Sequence, residues 1–273
     1  MEERKRARGS TRGIRACLSL IVCAAWLQAP VFQAPGAAAE TSLPQSLSPE
    51  EGAKEGAALV ANLLAEKPEM NLTNEVVLRI TNASRKTREV GARFTVHAGQ
   101  DRSTNIYETL TGGTPPGPGS MKFVVIRALG ETNHYLLSQP AVSEPRKISG
   151  NETMVPFAGS DFWAVDLGLE FLQWPAQVIT RKEMRRGQVC AVLESANPNR
   201  APGAYSRVVS WVAINRPGVA IVQAEAYDDK DKLLKEFLPK KIEKVNGQWQ
   251  LDEMDIRNLQ TRSRTKIDLN PGK

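Results

Sequence analysis

From Leu72 onward the chain alternates apolar and polar residues with a period of two. Val76, Leu78 and Ile80 interleave with Val77, Arg79 and Thr81, and Val90, Ala92, Phe94 and Val96 interleave with Gly91, Arg93, Thr95 and His97. Successive side chains of a strand point to opposite faces, so this pattern predicts half-buried antiparallel strands. The short polar link from Asn82 to Thr87 suits a hairpin. Further strand-like runs fall at about 104–110, 120–128, 133–138, 146–149, 176–184, 187–196, 204–214, 218–229, 232–245, 247–258 and 262–269. Arg186-Gly187 and Asn246-Gly247 mark tight turns, while the Gly/Pro-rich stretch 112–119 reads as a plain surface loop.

Two segments break the alternation. Ser48-Pro49-Glu50-Glu51 supplies an N-cap, a first-turn proline and a capping-box glutamate, and Ala53, Ala57, Val60 and Leu64 then lay an apolar stripe until Lys67-Pro68 stops it. That predicts a helix over about 49–66. Asp161 to Trp174 holds Phe162, Trp163, Val165, Leu167, Leu169, Phe171 and Leu172 with few charges, which predicts a second, short helix. Roughly a dozen strands and two helices result. A sheet that wide curls, because strand twist accumulates, and its concave face is the large apolar surface on which the helices can bury their stripes. The expected fold class is mainly β (α+β), a strongly curved antiparallel sheet or incomplete β-barrel with helices covering the concave face.

The charge of the 273-residue chain is +6, but residues 1–39 carry six Lys/Arg and two Glu, leaving only +2 for the rest. No concentrated basic stripe remains outside this leader, so the composition does not favour nucleic acid. A basic stretch to Arg15, an apolar core from Ala16 to Leu27 and the small residues Ala37-Ala38-Ala39 read as a secretory signal cleaved near Ala39/Glu40. The expected organisation is a signal peptide at 1–39, a linker at 40–47 and one domain at 48–273, exported and periplasmic. Cys17 and Cys23 leave with the leader, and Cys190 lies in an apolar strand-like run, where a buried inert thiol is expected.

Chemistry is sparse. His97 and His134 have no metal-ligand spacing and read as solvated or strand-initiating residues. Asp228, Asp229 and Asp231, and Asp252, Glu253 and Asp255, read as surface charge. Neither a catalytic group, a metal site nor a cofactor is expected, and a hydrolase with paired carboxylates is the least favoured class.

One stretch rises above this background, Phe157-Ala158-Gly159-Ser160-Asp161-Phe162-Trp163-Ala164-Val165-Asp166-Leu167, read as a capped aromatic helix start. Together with the run from Glu225 to Phe237, Gly247-Gln248-Trp249, Asp255-Ile256-Arg257-Asn258 and Ser263-Arg264-Thr265, it resembles the outer-membrane lipoprotein-sorting (LolA-like) family over about 72–269. The Phe162-Trp163 pair and the long 111–120 loop depart from that family's pattern. The resemblance implies an incomplete barrel of about eleven strands, covered by helices, whose apolar interior shields acyl chains of lipoproteins or other lipids. An inner-membrane transporter and an outer-membrane acceptor are the partners it implies. Leu78, Phe94, Val96, Phe123, Val125, Phe162, Trp163, Leu167 and Trp211 are the expected lining, although any one of them reads first as ordinary core. The alternative is a non-catalytic envelope scaffold or adaptor with a packed interior.

Overall fold

The structure, a computed structural model, describes residues 22–23, 45–65, 71–110, 120–128, 130–139, 144–215, 219–245 and 248–269. The rest of the expected leader, the 111–119 loop and the Asn246-Gly247 turn lie outside the described residues. Thirteen strands follow one helix: β1 (Leu72–Thr81), β2 (Thr87–His97), β3 (Arg102–Thr109), β4 (Lys122–Ala128), β5 (His134–Ser138), β6 (Arg146–Ile148), β7 (Ala176–Arg185), β8 (Gln188–Ala196), β9 (Arg207–Ala213), β10 (Val219–Tyr227), β11 (Leu233–Val245), β12 (Gln248–Asn258) and β13 (Ser263–Asp268). The two-residue stretches Val22–Cys23 and Gln45–Ser46 pair with β10 and β7.

All pairings are antiparallel, and the strand order is β7-β8-β9-β10-β11-β12-β13-β1-β2-β3-β4-β5-β6. Two hairpin meanders are thus sewn together where β13 returns to β1, with Ile267 opposite Leu78 and Thr265 opposite Ile80. The sheet is not closed. Its edges, β6 and β7, are consecutive in sequence, and the segment 149–175 between them crosses the concave face. The alternation placed the inward residues of the first strands correctly: Val76, Leu78, Ile80, Ala92, Phe94, Val96, Phe123 and Val125 are all buried. The fold is therefore the curved antiparallel sheet that the pattern predicts, with thirteen strands in place of about eleven.

Helix α1 (Pro49–Ala65) starts as expected: the Ser48 hydroxyl donates to Glu51 Oε2 at 2.7 Å and accepts the Glu51 N–H at 3.3 Å. That hydroxyl holds the Glu51 carboxyl below its ordinary pKa. The buried face differs from the expected stripe, because Gly52, Gly56, Leu59 and Val60 face inward while Ala53, Ala57 and Leu64 are exposed. Glycine decides this. A β-carbon at Gly52 or Gly56 would collide with the backbone carbonyls of Ile179 or Gln177 on β7, so the helix rests directly on the edge strand. A hydrophobicity pattern scores glycine as neutral and misses a face chosen for close approach.

Gly56→Val is accordingly expected to lower stability by about 1–3 kcal/mol in urea unfolding, through steric displacement of α1. Ala57→Val on the exposed face is expected to change it by less than about 0.5 kcal/mol.

Candidate functional site

The segment crossing the concave face is not the single helix expected over Asp161 to Trp174. It begins with 3-10 turns at Gly150–Thr153 and Phe157–Gly159, forms one α-turn, α2 (Ala164–Gly168), and ends in a 3-10 turn at Glu170–Gln173. Leu169 takes a left-handed conformation, φ 50°, which breaks the helix after Gly168. The Gly-Ser-Asp-Phe stretch is a tight loop and not a helix start: Phe157 N–H donates to Phe162 O at 2.7 Å and Ala164 N–H to Val155 O at 2.9 Å. Asp161 caps nothing. Its carboxylate accepts the Thr265 hydroxyl at 2.8 Å and the Ser263 hydroxyl, fastening the loop to β13.

Irregular backbone buried against a sheet must find hydrogen-bond partners outside a ladder. Here the strands supply them with side chains. Tyr107 donates to Leu167 O at 3.1 Å, Arg127 and Asn133 to Gly168 O at 3.0 and 2.9 Å, and Gln177 to Phe171 O and Trp174 O, both at 2.8 Å. The Tyr135 hydroxyl donates to Glu170 Oε2. Burial, reinforced by that carboxylate, pushes the Tyr135 phenol well up, and burial also raises Glu170.

A buried ion pair joins this plug to β11. Lys235 Nζ lies 3.2 Å from Asp166 Oδ2 and 3.5 Å from the centroid of the Trp163 ring, which stacks on Tyr205 at 5.1 Å. Asp166 also accepts the Trp163 N–H at 2.8 Å and the Tyr205 hydroxyl at 2.9 Å. Burial raises the Asp166 carboxyl and pushes the Lys235 ammonium down to about 8, against the attraction of Asp166. Sequence reasoning missed the pair, although alternation along Leu233-Leu234-Lys235-Glu236-Phe237 puts Lys235 on the same face as the core residue Phe237.

Beside this pair lies an apolar cleft of about 620 Å³, a volume that includes space open to solvent. The plug contributes Phe162, Asp166, Leu167, Leu169 and Phe171. Strands β10 to β12 contribute Ile221, Gln223, Ala224, Phe237, Pro239, Leu251 and Met254, and the β13 end adds Ile267 and Leu269. Of the expected lining, only Phe162 and Leu167 belong to it. Leu78, Phe94, Phe123 and Val125 sit in packed core, where Phe94, Tyr107, Phe123, Tyr135 and Phe157 contact one another with centroids 5.0–6.5 Å apart. Val96 is buried away from the cleft, and Trp163 is taken up by Lys235 and Tyr205. Trp211 belongs to a separate cluster with Cys190, Val192, Val209, Ala213 and Val222, on the other face of the sheet from its neighbours Val208 and Val212. Strand β9 is buried on both faces, so alternation alone could not assign its sides.

His97 and His134 are exposed and Cys190 is buried, as expected. Asp252 and Asp255 are buried and not surface charges; Asp255 holds Arg264 at 2.6 Å. Asp228 instead organises its turn, accepting the N–H groups of Lys230 and Lys232. Among the described residues no group of three or more His, Cys, Asp and Glu could hold a metal, and no helix is long and apolar enough to cross a membrane.

Removing one partner of a buried ion pair strands the other. Lys235→Met is therefore expected to destabilise by about 3 kcal/mol or more in urea unfolding, and adding Asp166→Asn to restore most of the loss. The sign of the pH dependence follows from the Lys235 shift. Its folded value, about 8, lies below its ordinary 10.5, so between these the unfolded chain keeps a proton the folded chain has released. Stability from this group rises with pH across that window and is lost as pH falls through 8. The wild-type slope of unfolding free energy over pH 8–10.5 is expected to exceed that of Lys235→Met.

A family profile described as "Uncharacterized protein" matches residues 120–271, more than half the chain. No curated protein matches the sequence. Among solved structures, a DUF1329 family protein from Desulfovibrio piger is similar with a TM-score of 0.61 at 23% identity, over 80% of this chain and 90% of its own. A domain assigned as an outer membrane lipoprotein-sorting protein from Vibrio parahaemolyticus gives 0.62 at 20% identity, over 79% and 90%. A LolA superfamily protein from Nitrosomonas europaea gives 0.54 at 16%, over 80% and 90%. At such identities the shared property is the fold. The chain thus belongs to the family of that 120–271 profile, and it is built on the fold of the lipoprotein-sorting, LolA-superfamily proteins.

Proposed function

We propose that this protein is a periplasmic carrier that shields acyl chains of lipoproteins or other lipids in the cleft between the plug and strands β10 to β13. The observation that carries the reading is the cleft itself, lined almost wholly by apolar side chains from the plug and from strands β10 to β13. Each methylene in water costs ~0.8 kcal/mol, so a carrier has to offset on the order of 12 kcal/mol to keep a sixteen-carbon chain in solution. The fold shared with lipoprotein-sorting proteins supports the same reading. In this scheme residues 1–39 direct export and are removed, 40–47 form a linker, and 48–273 act as one carrier domain. An inner-membrane donor would load it and an outer-membrane acceptor unload it.

A packed envelope scaffold is the second reading, favoured by the solid aromatic packing under β2 to β5. Native mass spectrometry of protein purified from its own envelope separates the two, because a carrier is expected to retain acyl mass and a scaffold none. For the cleft, Met254→Trp and Leu251→Trp are expected to weaken a fluorescent fatty-acid probe at least about tenfold, ~1.4 kcal/mol, by filling the space. Arg93→Gln, on the outer face beside Glu75 and Glu108, is expected to leave probe affinity unchanged. Equal binding by all three variants would remove the cleft from consideration.

A further inference from the structure

We propose that the ligand of this cleft carries an anionic head, held by Arg186, and that its tail passes between β10 and β11. The proposal rests on the acyl-carrier reading and names its ligand class.

Strands β10 and β11 pair only from Tyr227 opposite Leu233 to Ala224 opposite Phe237. Beyond that point they part. Strand β10 stays paired with β9 as far as Ala220, and β11 with β12 as far as Val245, but 219–223 and 238–245 are not paired with each other. Pro239, just past the last shared pair, has no N–H with which to continue the ladder. A rupture inside a sheet leaves two lips of unpaired backbone. The cleft lies at this rupture, with Ile221, Gln223 and Ala224 on one lip and Phe237 and Pro239 on the other. Strand β9 already occupies the far side of Ala220, so Val22–Cys23, which also pairs there, lies along the parted side. That stretch belongs to the expected leader, and its removal would bare the lip.

Arg186, in the β7–β8 turn, bridges the lips. Its Nη1 donates to Val222 O at 3.4 Å and to Pro239 O at 2.5 Å. Neighbouring cations are matched by carboxylates: Arg181 by Glu183, Lys182 by Glu55 and Arg185 by Glu225. Among the described residues no carboxylate pairs with Arg186. Carbonyl oxygens accept its hydrogen bonds without neutralising its charge, whereas a carboxylate or phosphate does both. Arg186 is also exposed, so a head group held there stays at the water surface while the tail is buried. The same end of the sheet presents an apolar row, Met184, Val189 and Ile214, exposed by 56%, 38% and 39%. Met184 pairs with Val189, and Ile214 N–H donates to Val189 O, so the three side chains share one face.

The test uses protein expressed from the full chain, a fluorescent fatty acid with a free carboxylate, and its methyl ester. The acid is expected to bind at least about tenfold more tightly than the ester, and Arg186→Gln to abolish that preference while Arg181→Gln keeps it. Competition by lysophosphatidic acid against a free fatty acid tells whether the preferred anion is a lipid phosphate or a carboxylate; lysophosphatidylcholine is expected to compete poorly with both. Equal binding of acid and ester by the wild type, or an unchanged preference in Arg186→Gln with its urea midpoint intact, overturns the head-group assignment and leaves the carrier reading standing. Binding of neither probe overturns the carrier reading itself.

Discussion

A strip of short, broken turns that forms neither a regular helix of any length nor a strand lies across the concave face of this sheet, and its peptide groups have to be satisfied away from water. An unmet buried amide or carbonyl costs about 1–3 kcal/mol, so the strands beneath cannot be purely apolar. Several polar side chains of the strands and turns answer this requirement. Tyr107, Arg127 and Asn133 reach the turn at Leu167 and Gly168, and Gln177 reaches Phe171 and Trp174. Each would be costly in an empty barrel and is explained by the segment it holds.

These tethers divide the interior. Under β2 to β5 the plug is fixed by side chains from several strands and the space below is filled by rings in mutual contact. Toward β10 to β13 the attachments are fewer: Asp161 to two β13 hydroxyls and Asp166 to Lys235. It is there that the cleft remains. Packing and hollowness are therefore two consequences of where the sheet places its polar side chains.

The sequence carried the sheet legibly and the site poorly, for reasons that individual residues make plain. Alternation is local, so Leu78, Phe94 and Phe123 were assigned to the inner face from their own neighbours alone. Whether an inward residue meets a ring or a void depends on which distant segment lies over it, and no local pattern contains that. Trp211 shows the limit from the other side, because β9 is apolar on both faces and the period-two rule returns no answer. The stretch 157–167 reads as a capped helix start because a polar Gly-Ser-Asp entry precedes an aromatic apolar run; the Asp161 carboxylate is instead engaged by Thr265, more than a hundred positions away. Gly52 and Gly56 were silent because glycine shows its value only when a second backbone comes close.

The buried pair at Lys235 sits where these two halves meet, and its arrangement suits a joint better than a weld. A hydrophobic isostere would fill the same space without the desolvation cost of two charges, so the pair is not there for stability alone. What it adds is directionality: Asp166, held by the backbone N–H of Trp163 in its own turn, accepts at once from the Lys235 ammonium and the Tyr205 hydroxyl, and those two donors set the placement of α2. Apolar contacts along the cleft tolerate sliding, because dispersion is not directional. A plug positioned by a small number of directional bonds beside a slippery surface has one defined register on the sheet, which a uniformly greasy interior would not impose.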